Sequence, residues 1–131
     1  MALSTEDRLA ILDLIARYNH ALDAGDKEAY AATWAEDGVF ELGAQETVRG
    51  RAAIRDRFAN APPEGVRIRH WTANPVIEGD GDRATLRLYV MTLRIDAHGR
   101  QVGFSGLYDD RLERVNGAWK FTHRRLIPDS P

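Results

Sequence analysis

Residues 66 to 127 carry four long strand-like runs in close succession, and this constrains the fold more than any other feature of the chain. The runs are 66–78, 83–96, 101–115 and 118–127. Each mixes β-branched and aromatic residues with alternating polar ones. The breaks between them, GDGD, AHGR and NG, are hairpin turn sequences. Strands joined by turns this short pair as antiparallel neighbours. The second half of the chain is therefore an antiparallel meander, and one face of such a sheet must be covered.

The first half supplies the cover. Leu9, Leu12, Ile15, Ala16 and Leu22 recur at helical spacing. Ser4 and Thr5 are N-cap candidates, Asp7 lies three residues after Ser4 as in a capping box, and Gly25 suits the position just past the helix. Asp26 then caps a second helix, which carries Tyr30 and Trp34 and stops near Asp37-Gly38. VFEL at 39–42 reads as a short strand, and ETVRG leads to a third helix with Ala53, Ile54 and Phe58 facing inward. The breaker cluster NAPPEG ends it. Three helices ahead of a meander predict an α+β fold: a curved antiparallel sheet, helices across its concave face and a pocket between the layers. The whole chain, 1–131, is expected to form one domain.

Charge and cysteine content exclude several function classes. Eighteen basic residues against twenty acidic ones give a net charge of −2. No basic patch points to nucleic acid or to an anionic membrane surface. No stretch approaches the ~20 apolar residues of a membrane span, and the N-terminus lacks the basic-then-apolar pattern of a signal peptide. Cysteine is absent, which removes disulfides, thiolate catalysis and cysteine-ligated metals together and fits a cytoplasmic location. No HExxH, GxSxG, P-loop or GxGxxG pattern occurs. His20 and Asp23, at i and i+3, imitate a metal set with His70 only weakly, so neither metal nor cofactor is expected.

Asp23 sits oddly for an acid. It lies in the last turn of the first helix, where the negative end of the macrodipole disfavours a carboxylate. In VRIRHWTANPVI, alternation places Val66, Ile68, His70, Thr72 and Asn74 on one face, with Arg67, Arg69 and Trp71 on the other. If the first face is concave, His70 projects into the pocket within reach of Asp23. A carboxylate there fixes the imidazole tautomer and leaves the other nitrogen to act as a general base. Tyr18, five residues before Asp23, is a hydroxyl donor to a developing oxyanion. In WKFTHRRLI, alternation favours Arg125 and His123 as the inward residues, because they share a face with Trp119 and Phe121. An inward arginine would act as a clamp on substrate or carboxylate.

These residues together resemble a known family. The stretches ILDLIARYNHALDAGDKEAYAATWAEDGVF, VRGRAAI, RHWTANPVI and GLYDDRLERVNGAWKFTHRRL are similar to the SnoaL-like group of the nuclear transport factor 2-like superfamily, from about Leu9 to Ile127. The resemblance implies a cone-shaped α+β barrel, three N-terminal helices closing a strongly curved sheet around a pocket. It is nearest the branch of scytalone dehydratase, bile acid 7α-dehydratase and hexachlorocyclohexane dehydrochlorinase. It implies that Asp23 and His70 form a catalytic dyad, with Tyr18 beside them. Against the alternation, it implies that Arg124 rather than Arg125 lines the pocket, which a β-bulge would allow. ATLRLYVMTLRI offers Tyr89 and Met91 where scytalone dehydratase has a second histidine, which argues against scytalone as substrate.

The resulting expectation is a cofactor-independent, dehydratase-like lyase or isomerase. His70 removes a carbon-bound proton, Asp23 orients it, and Tyr18 and Arg124 bind the departing or enolate oxygen. Walls of Trp34, Phe40, Phe58, Val90 and Tyr108 favour a small hydrophobic substrate, steroid-like or aromatic. Two alternatives stay open: a non-catalytic protein, either a small-molecule binder or a structural partner like a dioxygenase β-subunit, and a polyketide cyclase-like enzyme. An outer sheet face bearing Trp71 suggests a homo-oligomer, dimer or trimer.

Overall fold

The structure is a computed structural model and describes residues 2–130. Helix α1 spans Thr5–Ala24 and is capped at both ends. The Ser4 hydroxyl accepts the Asp7 N–H at 3.0 Å, and the Asp7 carboxylate accepts the Ser4 N–H at 3.2 Å. Gly25 ends the helix at φ +66°, where a Cβ would come within 2.8 Å of the Ala61 backbone. The buried stripe is Ile11, Leu14, Ile15, Tyr18 and Ala21. Leu9 and Leu12 are exposed, contrary to the periodic reading. Two adjacent stripes of α1 are both periodic, and spacing alone does not select between them.

Helix α2 covers only Lys27–Ala31, with the Asp26 carboxylate accepting the Ala29 N–H. The second helix was expected to run on to Asp37-Gly38; instead Trp34 opens strand β1, Trp34–Leu42. The reason is local. Thr33 turns its hydroxyl and N–H back onto the Tyr30 carbonyl, while its own carbonyl accepts the Phe121 N–H and draws the chain into the sheet. A further strand, β2 (Glu46–Arg49), forms within the ETVRG stretch that leads to the third helix. Helix α3, Arg51–Phe58, buries Ile54 but leaves Ala53 exposed.

Strands β3 (Arg67–Asp80), β4 (Arg83–Asp96), β5 (Gly99–Val115) and β6 (Ala118–Pro128) form the expected meander. The six-stranded sheet has the order β2-β1-β6-β5-β4-β3, antiparallel except for the parallel β1–β6 pair. Its register slips by one residue at Asn74–Pro75 in β3, at Gly103–Phe104 in β5 and at Thr122 in β6. Such bulges bend a sheet and raise its twist. Asn74, at φ +56°, belongs to the first of them and is exposed, so it leaves the face it would share with His70 by strict alternation. Leu86, Leu88, Leu112 and Phe121 meet Ile11, Tyr30, Trp34 and Ile54 in the core. Each such buried side chain contributes about 1.5–3 kcal/mol.

Candidate active site

Asp23 and His70 are brought into direct contact. The Asp23 carboxylate accepts the His70 backbone N–H at 3.1 Å and faces ring Nδ1 at 2.7 Å. Strand β3 is the outermost strand of the sheet. Its outward N–H at His70 has no neighbouring strand to bond, and the helix supplies the acceptor. Two donors from one residue offset the unfavourable dipole end at which Asp23 sits. A carboxylate that already accepts a backbone N–H can only accept again. Nδ1 therefore carries the ring proton and the neutral imidazole keeps its lone pair on Nε2. That nitrogen makes no hydrogen bond among the described residues.

A second rung repeats this one. Asn19 Nδ2 donates to Thr72 Oγ1 at 3.0 Å. One helical turn of about 6 Å between residues 19 and 23 matches a two-residue strand step of about 6.6 Å between 72 and 70. Helix and strand run in opposite directions, so the polar pairs fall in register. Asn19 Oδ1 is buried without a partner. Neither Asn19 nor Thr72 stood out in the sequence as a site residue. The signal was present in their offsets from Asp23 and His70.

Both pairs line a groove of about 890 Å³ that passes round the free edge of β3. Leu12, Ile15 and His20 of α1 border it, as do Arg69, Trp71, Leu93, Ile95 and Arg100 of the sheet. No group of three His, Cys, Asp or Glu side chains among the described residues is placed to hold a metal ion.

Tyr18 and Arg124 lie together elsewhere, inside the cone. Arg124 is 1% exposed and donates to both oxygens of Asp110, at 2.9 and 2.8 Å. The guanidinium is packed over the rings of Tyr108, Phe121 and Tyr18, with centroids at 3.7, 4.4 and 4.5 Å. Burial works against its charge, but the Asp110 carboxylate more than offsets this and holds the arginine above its ordinary pKa. Tyr18 and Tyr30 share a hydrogen bond at 3.1 Å. Burial pushes the hydroxyls of Tyr18 and Tyr108 well up from the usual phenol value, and that of Tyr30 up to about 12. All three stay protonated near neutral pH.

The bulge at Thr122 decides which arginine turns inward. Arg111 pairs with His123 and Leu112 with Phe121, so Thr122 is an extra residue and the parity of β6 reverses beyond it. Phe121 and Arg124 are then both buried, while Arg125 is exposed and donates to Asp109 at 3.1 Å. Simple alternation, which favoured Arg125, fails for this reason. Tyr89 also points outward and is 59% exposed; Val90 and Thr92 occupy the buried face instead.

The expected pocket walls are packed core. Trp34, Phe40, Val90 and Tyr108 are buried and Phe58 is half-buried against them. Ring centroids of Phe40 and Phe58 are 4.8 Å apart, and those of Trp34 and Phe40 are 5.8 Å apart. Tyr108 also packs against Arg124, and Trp34 against Tyr18 and Phe121, and none of the five borders the groove that holds His70.

A curved sheet closed by helices, with a carboxylate–imidazole pair in a groove at one edge, defines a cone-shaped α+β protein. The chain matches the SnoaL-like domain over residues 4–125 and belongs to that family. Its fold is also that of several solved structures. A protein of unknown function from Mycobacterium tuberculosis is 37% identical with a TM-score of 0.88, over 96% of this chain and 73% of that one. ActVI-ORFA from Streptomyces coelicolor is 25% identical with a TM-score of 0.86, over 95% and 98%. A candidate scytalone dehydratase from Novosphingobium aromaticivorans, 24% identical with a TM-score of 0.83 over 95% and 85%, shares the fold. No curated protein matches the chain.

Proposed function

We propose that this chain is a cofactor-independent lyase or isomerase in which His70 Nε2 takes a proton from carbon. One observation carries the reading: Nδ1 of His70 lies 2.7 Å from a carboxylate that can only accept, and Nε2 makes no hydrogen bond among the described residues. A neutral imidazole so held is a ready general base, and Asp23 stabilises the imidazolium formed when the proton arrives. The electron pair released at carbon then expels a β-substituent in an elimination, or is reprotonated elsewhere in an isomerisation. Membership of the SnoaL-like family, and neighbours that include a candidate scytalone dehydratase and ActVI-ORFA, support a dehydratase- or cyclase-type role. Arg124 and Tyr18 serve this reaction by shaping the cone behind the groove. Buried and paired with Asp110, Arg124 holds the interior rather than the substrate.

A screen of hydroxy-ketones, hydroxy-steroids and halogenated rings in D₂O tests the proposal. Wild type is expected to exchange or eliminate at the carbon next to the activating group, and His70→Ala is not. Undiminished exchange in His70→Ala would remove His70 as the base.

A homodimer through the outer sheet face belongs to the same proposal. Tyr89, Leu107 and Ile127 form one row across β4, β5 and β6, with Trp71 and Met91 in the next. Beside them Glu41, Arg125, Asp109 and Arg87 form a transverse row of alternating sign. A twofold axis along the strands sets Glu41 over Arg87 and Arg125 over Asp109 of a second copy. The face is thus complementary to itself in charge as well as in hydrophobicity.

A further inference from the structure

The groove beside His70 has a charge of its own. Arg69 of β3 and Arg100 of β5 both line it. Neither has an ion-pair or hydrogen-bond partner for its guanidinium among the described residues. Arg94 and Arg114, by contrast, are paired with Asp96 and with Asp7 and Asp82. Among the described residues the one carboxylate lining the groove is Asp23, and His70 occupies both its oxygens. Two free cations therefore face one engaged anion, on a chain whose net charge is −2.

Arg69 leaves β3 on the face opposite His70, yet both reach the groove because it wraps the free edge of that strand. In the register Leu93 and Ile95 of β4 lie between Arg69 on β3 and Arg100 on β5, and Leu12 and Trp71 complete the apolar lining. A volume near 890 Å³ accommodates a molecule of several rings.

We propose that the groove binds a small apolar molecule carrying a carboxylate or equivalent anionic group. Arg69 and Arg100 hold the anion above Leu93 and Ile95, and the apolar skeleton passes Trp71 and Leu12 round the edge of β3 to His70. The guanidinium fork matches a carboxylate in shape and charge. Asp23 repels a carboxylate on the His70 side of the β3 edge, which favours the anion on the side of the arginines. This substrate class rests on the reading of the groove as the site where His70 acts.

The test uses the full chain and a matched pair of probes, naphthoate and its neutral carboxamide, titrated calorimetrically at low salt. Wild type is expected to bind the carboxylate roughly tenfold more tightly than the amide, in line with two partly exposed ion pairs. Arg69→Gln/Arg100→Gln should abolish the difference without lowering Tm, since both side chains are exposed. His70→Ala should keep it, because the preference comes from charge and not from proton transfer. Equal affinities in wild type, no saturable carboxylate binding at millimolar concentration, or a preference that survives in the double variant would each overturn the substrate class. His70-dependent exchange in D₂O, read separately, bears only on the base. Loss of one result with survival of the other therefore shows which of the two readings has failed.

Discussion

Asp23 holds His70 twice, once by the ring nitrogen at 2.7 Å and once by the backbone N–H at 3.1 Å. A single carboxylate therefore fixes both the orientation of the imidazole and the edge of the strand that carries it. The two roles are separable by substitution. Asp23→Asn keeps an acceptor for the backbone N–H but removes the charge that stabilises an imidazolium. It should leave Tm within a few degrees of wild type and lower kcat/KM by about 10²–10⁴, the range of general-base catalysis. Asp23→Ala leaves the N–H unpaired as well and should cost a further ~1–3 kcal/mol in denaturant unfolding.

Arg124 and Asp110 form a pair shut off from water. Breaking it from one side leaves an uncompensated buried charge, so Asp110→Asn should destabilise the fold by about 3–5 kcal/mol. Replacing both partners with apolar residues of similar size, as in Asp110→Leu/Arg124→Met, should cost less than either single change. Urea unfolding of Asp110→Asn, Arg124→Met and the double variant checks the order.

Alkaline pH should unfold the protein through its buried tyrosines. Burial raises the pKa of Tyr18, Tyr30 and Tyr108 in the folded state, Tyr30 to about 12 against an ordinary 10.0. Between those two values the native state keeps a proton that the unfolded chain has released. The stabilisation from Tyr30 is thus complete below pH ~10 and is lost as pH rises through the folded value. Ultraviolet titration of tyrosine alongside circular dichroism should show phenolate formation at these positions coinciding with loss of structure.

Gly25 should tolerate no side chain. At φ +66°, with the Ala61 backbone 2.8 Å from a would-be Cβ, Gly25→Ala combines backbone strain with a clash. It should lose more than the ~1 kcal/mol of a simple left-handed penalty. The change displaces the helix end that carries Asp23, so His70-dependent turnover should fall together with Tm.

Much of this was legible in the sequence. The turns GDGD, AHGR and NG placed the meander to within a few residues, and the cap residues Ser4, Asp7, Gly25 and Asp26 placed the helix ends. Alternation on β3 put His70 and Thr72 on one face, as the burial pattern has it. What failed was whatever depends on contacts distant in sequence. Trp34 has helical neighbours but is drawn into β1 by pairing with Phe121. Arg124 turns inward only because Thr122 is extra, and no periodicity reveals an extra residue. The partner of Arg124 was half visible, since the pairs Asp109-Asp110 and Arg124-Arg125 flank the NG turn almost symmetrically. The one-residue offset from the bulge hid their register.

The tautomer of His70 tests the central claim most directly. Long-range ¹H–¹⁵N correlation spectra, recorded where the imidazole is neutral, should show Nδ1 protonated and Nε2 bare in wild type, with that preference weakened in Asp23→Asn. A proton found on Nε2 in the neutral wild-type ring would leave no lone pair facing the groove, and His70 could not be the base.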